Sequence, residues 1–280
     1  MRVLLLVLLL LAAPLHAAEL KFATWNIGWA TLRPPSELPR DVIRRSEADW
    51  RLLRDYARRL DADVVALQEV DGPEIAARIF DPRAYVFFFP EEDDTQRAGF
   101  AVRRTLRAIR NPDLVGLDLR PEARFSLRRG TDITIEAGGN RLRLLSIHLK
   151  AGCMEGALGW SRECEDLAQQ AAVLAGWIAQ RRREGAGFLI MGDFNRRMRD
   201  GDDEFLGRLN APLERATEGQ SSPCFANARG GRPFIDHILA GGAARGWMQR
   251  DSLRVMVYAE RDARDRLSDH CPVSVRLRLP

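Results

Sequence analysis

Gly187-Phe188-Leu189-Ile190-Met191-Gly192-Asp193-Phe194-Asn195 is a short apolar run that ends abruptly in an acid and an amide. Gly187 to Met191 has the make-up of a buried strand. The polar residues follow at its end, where a strand fixes a side chain's position while the loop leaves it exposed. Alone, Gly192-Asp193-Phe194-Asn195 reads equally well as a turn, since Gly, Asp and Asn are turn formers. Five other segments share its plan: Thr24-Trp25-Asn26-Ile27-Gly28, Leu67-Gln68-Glu69-Val70, Ser146-Ile147-His148-Leu149-Lys150, Ile235-Asp236-His237-Ile238 and Ser268-Asp269-His270-Cys271-Pro272. Each sets a carboxylate, an amide or an imidazole at the edge of an apolar run. Buried polar groups need partners, so such residues converge on one another or on a ligand.

The intervening sequence supports an α/β arrangement. Strands are predicted over Leu20–Asn26, Asp63–Leu67, Ala84–Phe89, Gly99–Val102, Ile133–Glu136, Arg141–Leu149, Ile235–Ala240, Val255–Tyr258 and Val273–Leu279. Ala137-Gly138-Gly139-Asn140 marks a hairpin. Trp50, Leu53, Ala57 and Leu60 recur at helical spacing within 44–60, and Leu167, Ala171, Leu174 and Ile178 do so within 163–182. Strands outnumber helices and hairpins mix with helical connections, which predicts α/β layers around mixed sheets. No repeat or low-complexity linker interrupts residues 19–280, so this stretch reads as one domain.

Taken as an ordered set, the six polar segments resemble the endonuclease/exonuclease/phosphatase superfamily, the DNase I-like fold, from Leu20 to the C-terminus. The resemblance implies a four-layer α/β sandwich of two mixed sheets flanked by helices, with the site where the strand ends of the two sheets meet. It also implies divalent-metal-dependent hydrolysis of a phosphoester. Glu69 would then be the principal metal ligand, assisted by Asn26 and by Asp269. That all-oxygen set suits Mg²⁺ or Mn²⁺, with Ca²⁺ a further option. His270 would act as general base or phosphate-orienting imidazole, held by Asp236. Asp193 would position or deprotonate the attacking water, Asn195 would donate to a phosphoryl oxygen, and His148 would contact the scissile phosphate or assist the leaving oxygen. The choice between Asp193 and the Asp236–His270 pair as base stays open. Arg124 is a candidate substrate-phosphate contact. His237 follows Asp236 along a strand and so faces the opposite way, which makes it structural. Some family members orient the residue matching His148 with a glutamate at the start of an earlier strand. Arg97-Ala98-Gly99-Phe100 offers none, although Glu91, Glu92, Asp93 and Asp94 lie nearby.

Met1-Arg2, the hydrocarbon run Val3–Ala13 and the small residues Ala17-Ala18 form the layout of a secretory signal peptide, assigned to residues 1–18. The run is too short for a permanent anchor, so no stable membrane insertion is expected, and the protein is placed in the periplasm or outside the cell. Export fits four cysteines, for which Cys153–Cys164 with Cys224–Cys271 is the first pairing to expect. A Zn site competes, but no C-x-x-C pair is present; free buried thiols compete for the second pair.

The chain has 280 residues with 43 Lys+Arg against 39 Asp+Glu, and only two of the basic residues, Lys21 and Lys150, are lysines. This surplus is too small to demand a polyanionic partner. The four histidines are more informative: His16 leaves with the signal, and the remaining three fall in the polar segments. Nucleic acid is the leading substrate, because export, a basic mature chain and Trp29, Arg33, Trp160, Arg162, Arg196 and Arg197 near the site residues suit a phosphate backbone with stacked bases. A sphingomyelinase-like or phosphoinositide-type phosphoesterase is the alternative, and needs an exposed apolar element to enter a membrane interface. Tyr85-Val86-Phe87-Phe88-Phe89 is the one aromatic cluster, and it reads as a buried strand. A catalytically silent binding module is the third reading, and a monomer is expected.

Overall fold

The computed structural model describes residues 18–40, 42–123, 127–198, 201–227 and 230–280. Fourteen strands occur among them: β1 (Ala18–Ala30), β2 (Val64–Val70), β3 (Tyr85–Phe88), β4 (Gly99–Arg103), β5 (Arg107–Arg110), β6 (Thr131–Ala137) and β7 (Asn140–His148), then β8 (Gly187–Asp193), β9 (Leu213–Arg215), β10 (Ser222–Asn227), β11 (Gly230–Arg232), β12 (Asp236–Gly241), β13 (Met248–Val255) and β14 (Val273–Leu279). Two six-stranded sheets, ordered β13-β14-β1-β2-β4-β3 and β5-β6-β7-β8-β12-β9, carry the fold, and β10-β11 forms a separate hairpin. Each large sheet is mixed. β1 runs parallel to β2 and β7 parallel to β8, while the other pairings are antiparallel.

Strand alternation divides the apolar side chains among three cores. Phe22, Val64, Ala66, Leu142, Leu144, Leu189 and Met191 meet between the two sheets. Their neighbours Ala23, Trp25, Val65 and Leu67 face outward onto helices α1 (Glu47–Leu60) and α2 (Pro73–Ile79). Leu145, Ile147, Phe188 and Ile190 face helix α3 (Arg162–Arg183) on the other side. The result is the helix–sheet–sheet–helix layering that the family resemblance implies.

Local chemistry explains the helix ends. α1 starts at 47 rather than 44 because Ser46 caps it reciprocally: its hydroxyl accepts from the Asp49 amide and the Asp49 carboxylate accepts from the Ser46 amide. Ser161 caps α3 through the Cys164 amide. One predicted strand is displaced. The strand expected over 255–258 is instead β13, which ends at Val255. Beyond it Tyr258 turns inward to accept from Trp25 Nε1 (2.9 Å) and donate to the His270 carbonyl (2.9 Å). β13 escaped the sequence reading because it is a polar edge strand without apolar alternation.

The predicted export segment lies outside the described residues except for Ala18, which pairs with Leu279 at the start of β1. Among the described residues no helix is long and apolar enough to cross a membrane. Both predicted disulfides are formed, Cys153–Cys164 and Cys224–Cys271. The second ties the β10–β11 hairpin to the residue after His270. Loop-closure entropy assigns about 4 kcal/mol to the Cys224–Cys271 crosslink and about 3 kcal/mol to the shorter one. Urea unfolding should therefore show a larger loss for the Cys224→Ser/Cys271→Ser double variant than for Cys153→Ser/Cys164→Ser. The reverse order would contradict the entropic account.

Candidate active site

Strand register builds half of the site. His148 at the end of β7 pairs with Asp193 at the end of β8, and Asp193 pairs with Asp236 at the start of β12. Three neighbouring strands thus hold an imidazole and two carboxylates in one row. Gly192 is required for this, because a Cβ there would lie 2.0 Å from the Ile147 carbonyl oxygen. The facing sheet supplies Asn26 from β1 and Glu69 from β2, where the β1–β2 register shifts just after Asn26. Trp29, Glu69 and Asn195 adopt left-handed backbone conformations (φ 50°, 57° and 51°). Such strain in non-glycine residues gathers where side chains must be aimed.

The Asn26 amide joins the halves. Its Nδ2 donates to Glu69 Oε1 and to Asp193 Oδ2, both at 3.1 Å, while its Oδ1 accepts from the Gly28 amide at 2.9 Å. Glu69 Oε2 accepts from the Trp29 amide at 3.0 Å. Asp193 Oδ1 accepts from the Asn195 amide at 2.7 Å. His270 Nδ1 bonds Asp236 Oδ2 at 2.8 Å, and its Nε2 stands 3.7 Å from Asp193 Oδ2. His148 Nε2 lies 3.7 Å from both Glu69 Oε1 and Asp193 Oδ2. The structure therefore brings Asn26, Glu69, His148, Asp193, Asp236 and His270 together. Asp269 stands half-exposed at the mouth, 3.9 Å from His270 Nε2. Asn195 spends one amide hydrogen on the Leu149 carbonyl at 3.0 Å. Arg124 lies outside the described residues.

Burial and charge separate the two histidines. Desolvation would lower His270, but the Asp236 and Asp193 carboxylates outweigh it and hold the imidazole well above its usual value. His148 is held well below by burial, the Arg128 guanidinium and His270. The Gln96 carbonyl only partly offsets this, and His148 Nδ1 is buried without a hydrogen bond. Among the described residues, Glu69 and Asp193 are the carboxylates beside His148, so none of 91–94 takes the orienting role. Asp193 is pushed up to about 7, first by burial and then by Asp236 and Glu69, against the pull of His270.

The donor set fits a hard divalent cation. Glu69, Asn26 and Asp269 offer oxygen, and the crowding of desolvated carboxylates that lifts Asp193 is a negative excess that such an ion would offset. Asp193, Asp236 and His270 also present ligand atoms within 4.8 Å of one another. The hydrogen bond between His270 and Asp236 occupies part of that set, and Asn26 turns its Nδ2 toward Glu69 and Asp193 while its Oδ1 accepts from Gly28.

The supporting residues had no role assigned from sequence, although Thr24, Gln68, Ser146 and Ser268 lie within the polar segments. Arg45 donates to the backbone carbonyls of Ile27, Gly28, Trp29 and Leu267, clamping the loop after Asn26 to the segment before Ser268. Ser268 donates to the Asn26 carbonyl (2.8 Å) and accepts from the His270 amide (3.0 Å). Gln68 bridges the sheets beneath the site, accepting from Thr24 (3.0 Å) and donating to Ser146 (3.3 Å). Arg128 reaches the Leu149 carbonyl at 3.2 Å, lines the cleft beside His148, and keeps Nε buried without a partner. Nothing in the sequence distinguishes it from the other arginines. The cleft over these groups has a volume of about 1100 Å³.

Sequence and structure comparisons agree with this fold. The sequence model of the Endonuclease/Exonuclease/phosphatase family matches residues 23–270. No curated protein matches the chain by sequence. Among solved structures, TDP2 from C. elegans superposes with a TM-score of 0.61 at 16% identity, covering 96% of this chain and 78% of that one. An endonuclease/exonuclease/phosphatase family protein from Bacteroides thetaiotaomicron gives 0.60 at 14% identity, covering 95% and 99%. The 3' phosphatase NExo from Neisseria, bound to a product DNA hairpin, gives 0.58 at 18% identity, covering 92% and 99%.

His237 is structural, as its strand position predicts. Its Nδ1 meets Thr217 Oγ1 at 2.6 Å, its Nε2 meets the Arg196 carbonyl at 2.9 Å, and burial pushes it down to about 4. An unfolded imidazole titrates near 6.5 (~6.5), so between these values the unfolded chain binds the extra proton. This contribution to stability is therefore complete above the unfolded value and lost as pH falls toward the folded one, about 3 kcal/mol in all. Urea midpoints taken at neutral pH and near the folded value should move closer together in His237→Gln than in the wild type; identical pH dependence would refute the assignment.

Proposed function

The chain belongs to the endonuclease/exonuclease/phosphatase family of phosphoester hydrolases, and from that premise we propose that it is an exported, divalent-metal-dependent nuclease that acts as a monomer. The observation that carries the chemistry is the Asp193 carboxylate, buried between Asn26, His148 and the Asp236–His270 pair. A carboxylate held up to about 7 is matched to taking a proton from water at neutral pH. His270 is kept protonated by Asp236 and Asp193, so it serves as a fixed positive charge and donor toward a phosphoryl oxygen rather than as the base. Asp236 holds its Nδ1 and leaves Nε2 directed to the Asp193 side. His148 is kept neutral and can donate to a phosphoryl or leaving oxygen. Arg128, which lines the cleft beside His148, is a candidate phosphate contact alongside Arg124. A hard divalent ion held by Glu69, Asn26 and Asp269 would neutralise charge on the phosphoryl and leaving oxygens.

Nucleic acid is favoured over lipid by the surface. Among the described residues, the exposed large apolar side chains Leu32, Val115 and Val257 come from separate segments, and only Met154 and Trp160 share a loop, too few for a membrane-entering element. The aromatic run at 85–89 has Tyr85 and Phe89 buried and its middle half-buried. A DNA-bound 3' phosphatase and a TDP2 complexed with single strand DNA product share the fold, which supports the same reading. Two disulfides support an oxidising compartment.

Incubation of the purified protein and Mg²⁺ or Mn²⁺ with plasmid DNA, RNA, sphingomyelin and a phosphomonoester tests this reading. Nucleic-acid cleavage abolished by EDTA is expected, and turnover of lipid alone would overturn it. Glu69→Gln and His270→Ala should each keep the fold and lower the rate by about 10²–10⁴-fold.

A further inference from the structure

His270 and Asp269 stand where two depressions meet. The large cleft runs from them over Glu69, His148 and Asp193 toward the 91–94 segment. A smaller groove of about 370 Å³ reaches the same imidazole from the other side, beneath the β10–β11 hairpin. The two walls differ in charge once the site's own carboxylates are set aside.

Among the described residues, the large cleft adds six carboxylates, four of them in the run Glu91-Glu92-Asp93-Asp94, against four cations. Arg33 is already paired with Asp71 and Asp93, and Arg129 lies 3.7 Å from Glu92. Burial holds Glu92 up to about 7, so it carries a partial charge at neutral pH; the wall remains net acidic. The smaller groove is lined by Arg197, Arg232 and Arg264 and by no further carboxylate, with Arg197 lying 3.5 Å from Glu155 outside the lining. Phe225, half-buried, and Phe234, buried, form part of its floor. Arg264 stands over the Phe225 ring, 6.0 Å from its centroid, and Phe225 itself holds a left-handed φ of 47°. The neighbouring disulfide joins Cys224 to Cys271, so this wall is covalently fixed relative to His270. Three guanidinium groups in one groove match the successive phosphates of a short nucleotide segment.

We propose that the smaller groove is the subsite for the nucleotides next to the scissile phosphate, and that the enzyme holds its polyanion on this side alone and hydrolyses at chain ends. The inference rests on the nuclease reading. A strand threading the site from both directions would have to lay its next phosphates along the acidic wall of the large cleft, whereas a terminus leaves that cleft to water and the departing group.

The test uses the full protein with Mg²⁺, and single-stranded DNA of one sequence in linear and covalently closed circular forms. Linear DNA should be shortened from its ends at least about tenfold faster than circles are opened, and equal rates would overturn the proposal. Hydrolysis of sphingomyelin or a phosphoinositide with neither DNA touched would remove the nuclease reading and this inference with it. The double variant Arg232→Glu/Arg264→Glu, checked for folding by circular dichroism, should raise KM for linear DNA at least about tenfold more than KM for bis-p-nitrophenyl phosphate, a diester too short to fill the groove. Equal shifts for the two substrates would place the arginines outside the subsite.

Discussion

The Asn26 side chain is the point on which the site depends. One amide nitrogen donates to Glu69 on its own sheet and to Asp193 on the facing sheet. Two carboxylates that would otherwise repel across a dry gap are thereby given a shared donor. Buried acids in this proximity are costly unless hydrogen-bonded or offset by positive charge, and the site uses both means. Asn26 supplies the donor, the His270 imidazolium supplies the charge, and the remaining excess is what a divalent cation would offset.

That arrangement needs the two sheets held at one spacing and in one register. The interlayer core of Phe22, Val64, Ala66, Leu144, Leu189 and Met191 sets the distance. The Thr24–Gln68–Ser146 chain fixes register polar group to polar group directly under the site. Arg45 does the same for the loops, since its guanidinium satisfies carbonyls from both the 27–29 and the 267 segments. Burial lowers Arg45 to about 10, which still leaves it charged at neutral pH and able to act as a clamp. The Cys224–Cys271 link then couples the outer hairpin to the His270 loop. Chemistry, groove and fold are thus connected through a few crossing contacts.

Much of this was legible beforehand. The apolar runs read as strands, mixed with hairpins and helical connections, forecast the layers, and the polar residues ending those strands forecast the site. Asp236 and His270 were expected to pair and do so. The displaced strand at 255–258 shows a limit of pattern reading: Tyr258 has the apolar character of a strand residue, yet its hydroxyl is needed beneath His270. Arg128 shows another. Its burial and its position beside His148 leave no mark on the residues around it in sequence.

The amino-acid sequence by itself indicated the layered α/β architecture, the set of polar strand ends and the first disulfide pairing to expect, because apolar runs, strand termination and cysteine spacing are local patterns. Only the tertiary structure decided the protonation of His148 and His270, the elevation of Asp193, the clamp at Arg45 and the contrast between the two grooves. Those properties depend on how close residues far apart in the chain come to lie and on how much water is removed between them, and no window of sequence contains that distance.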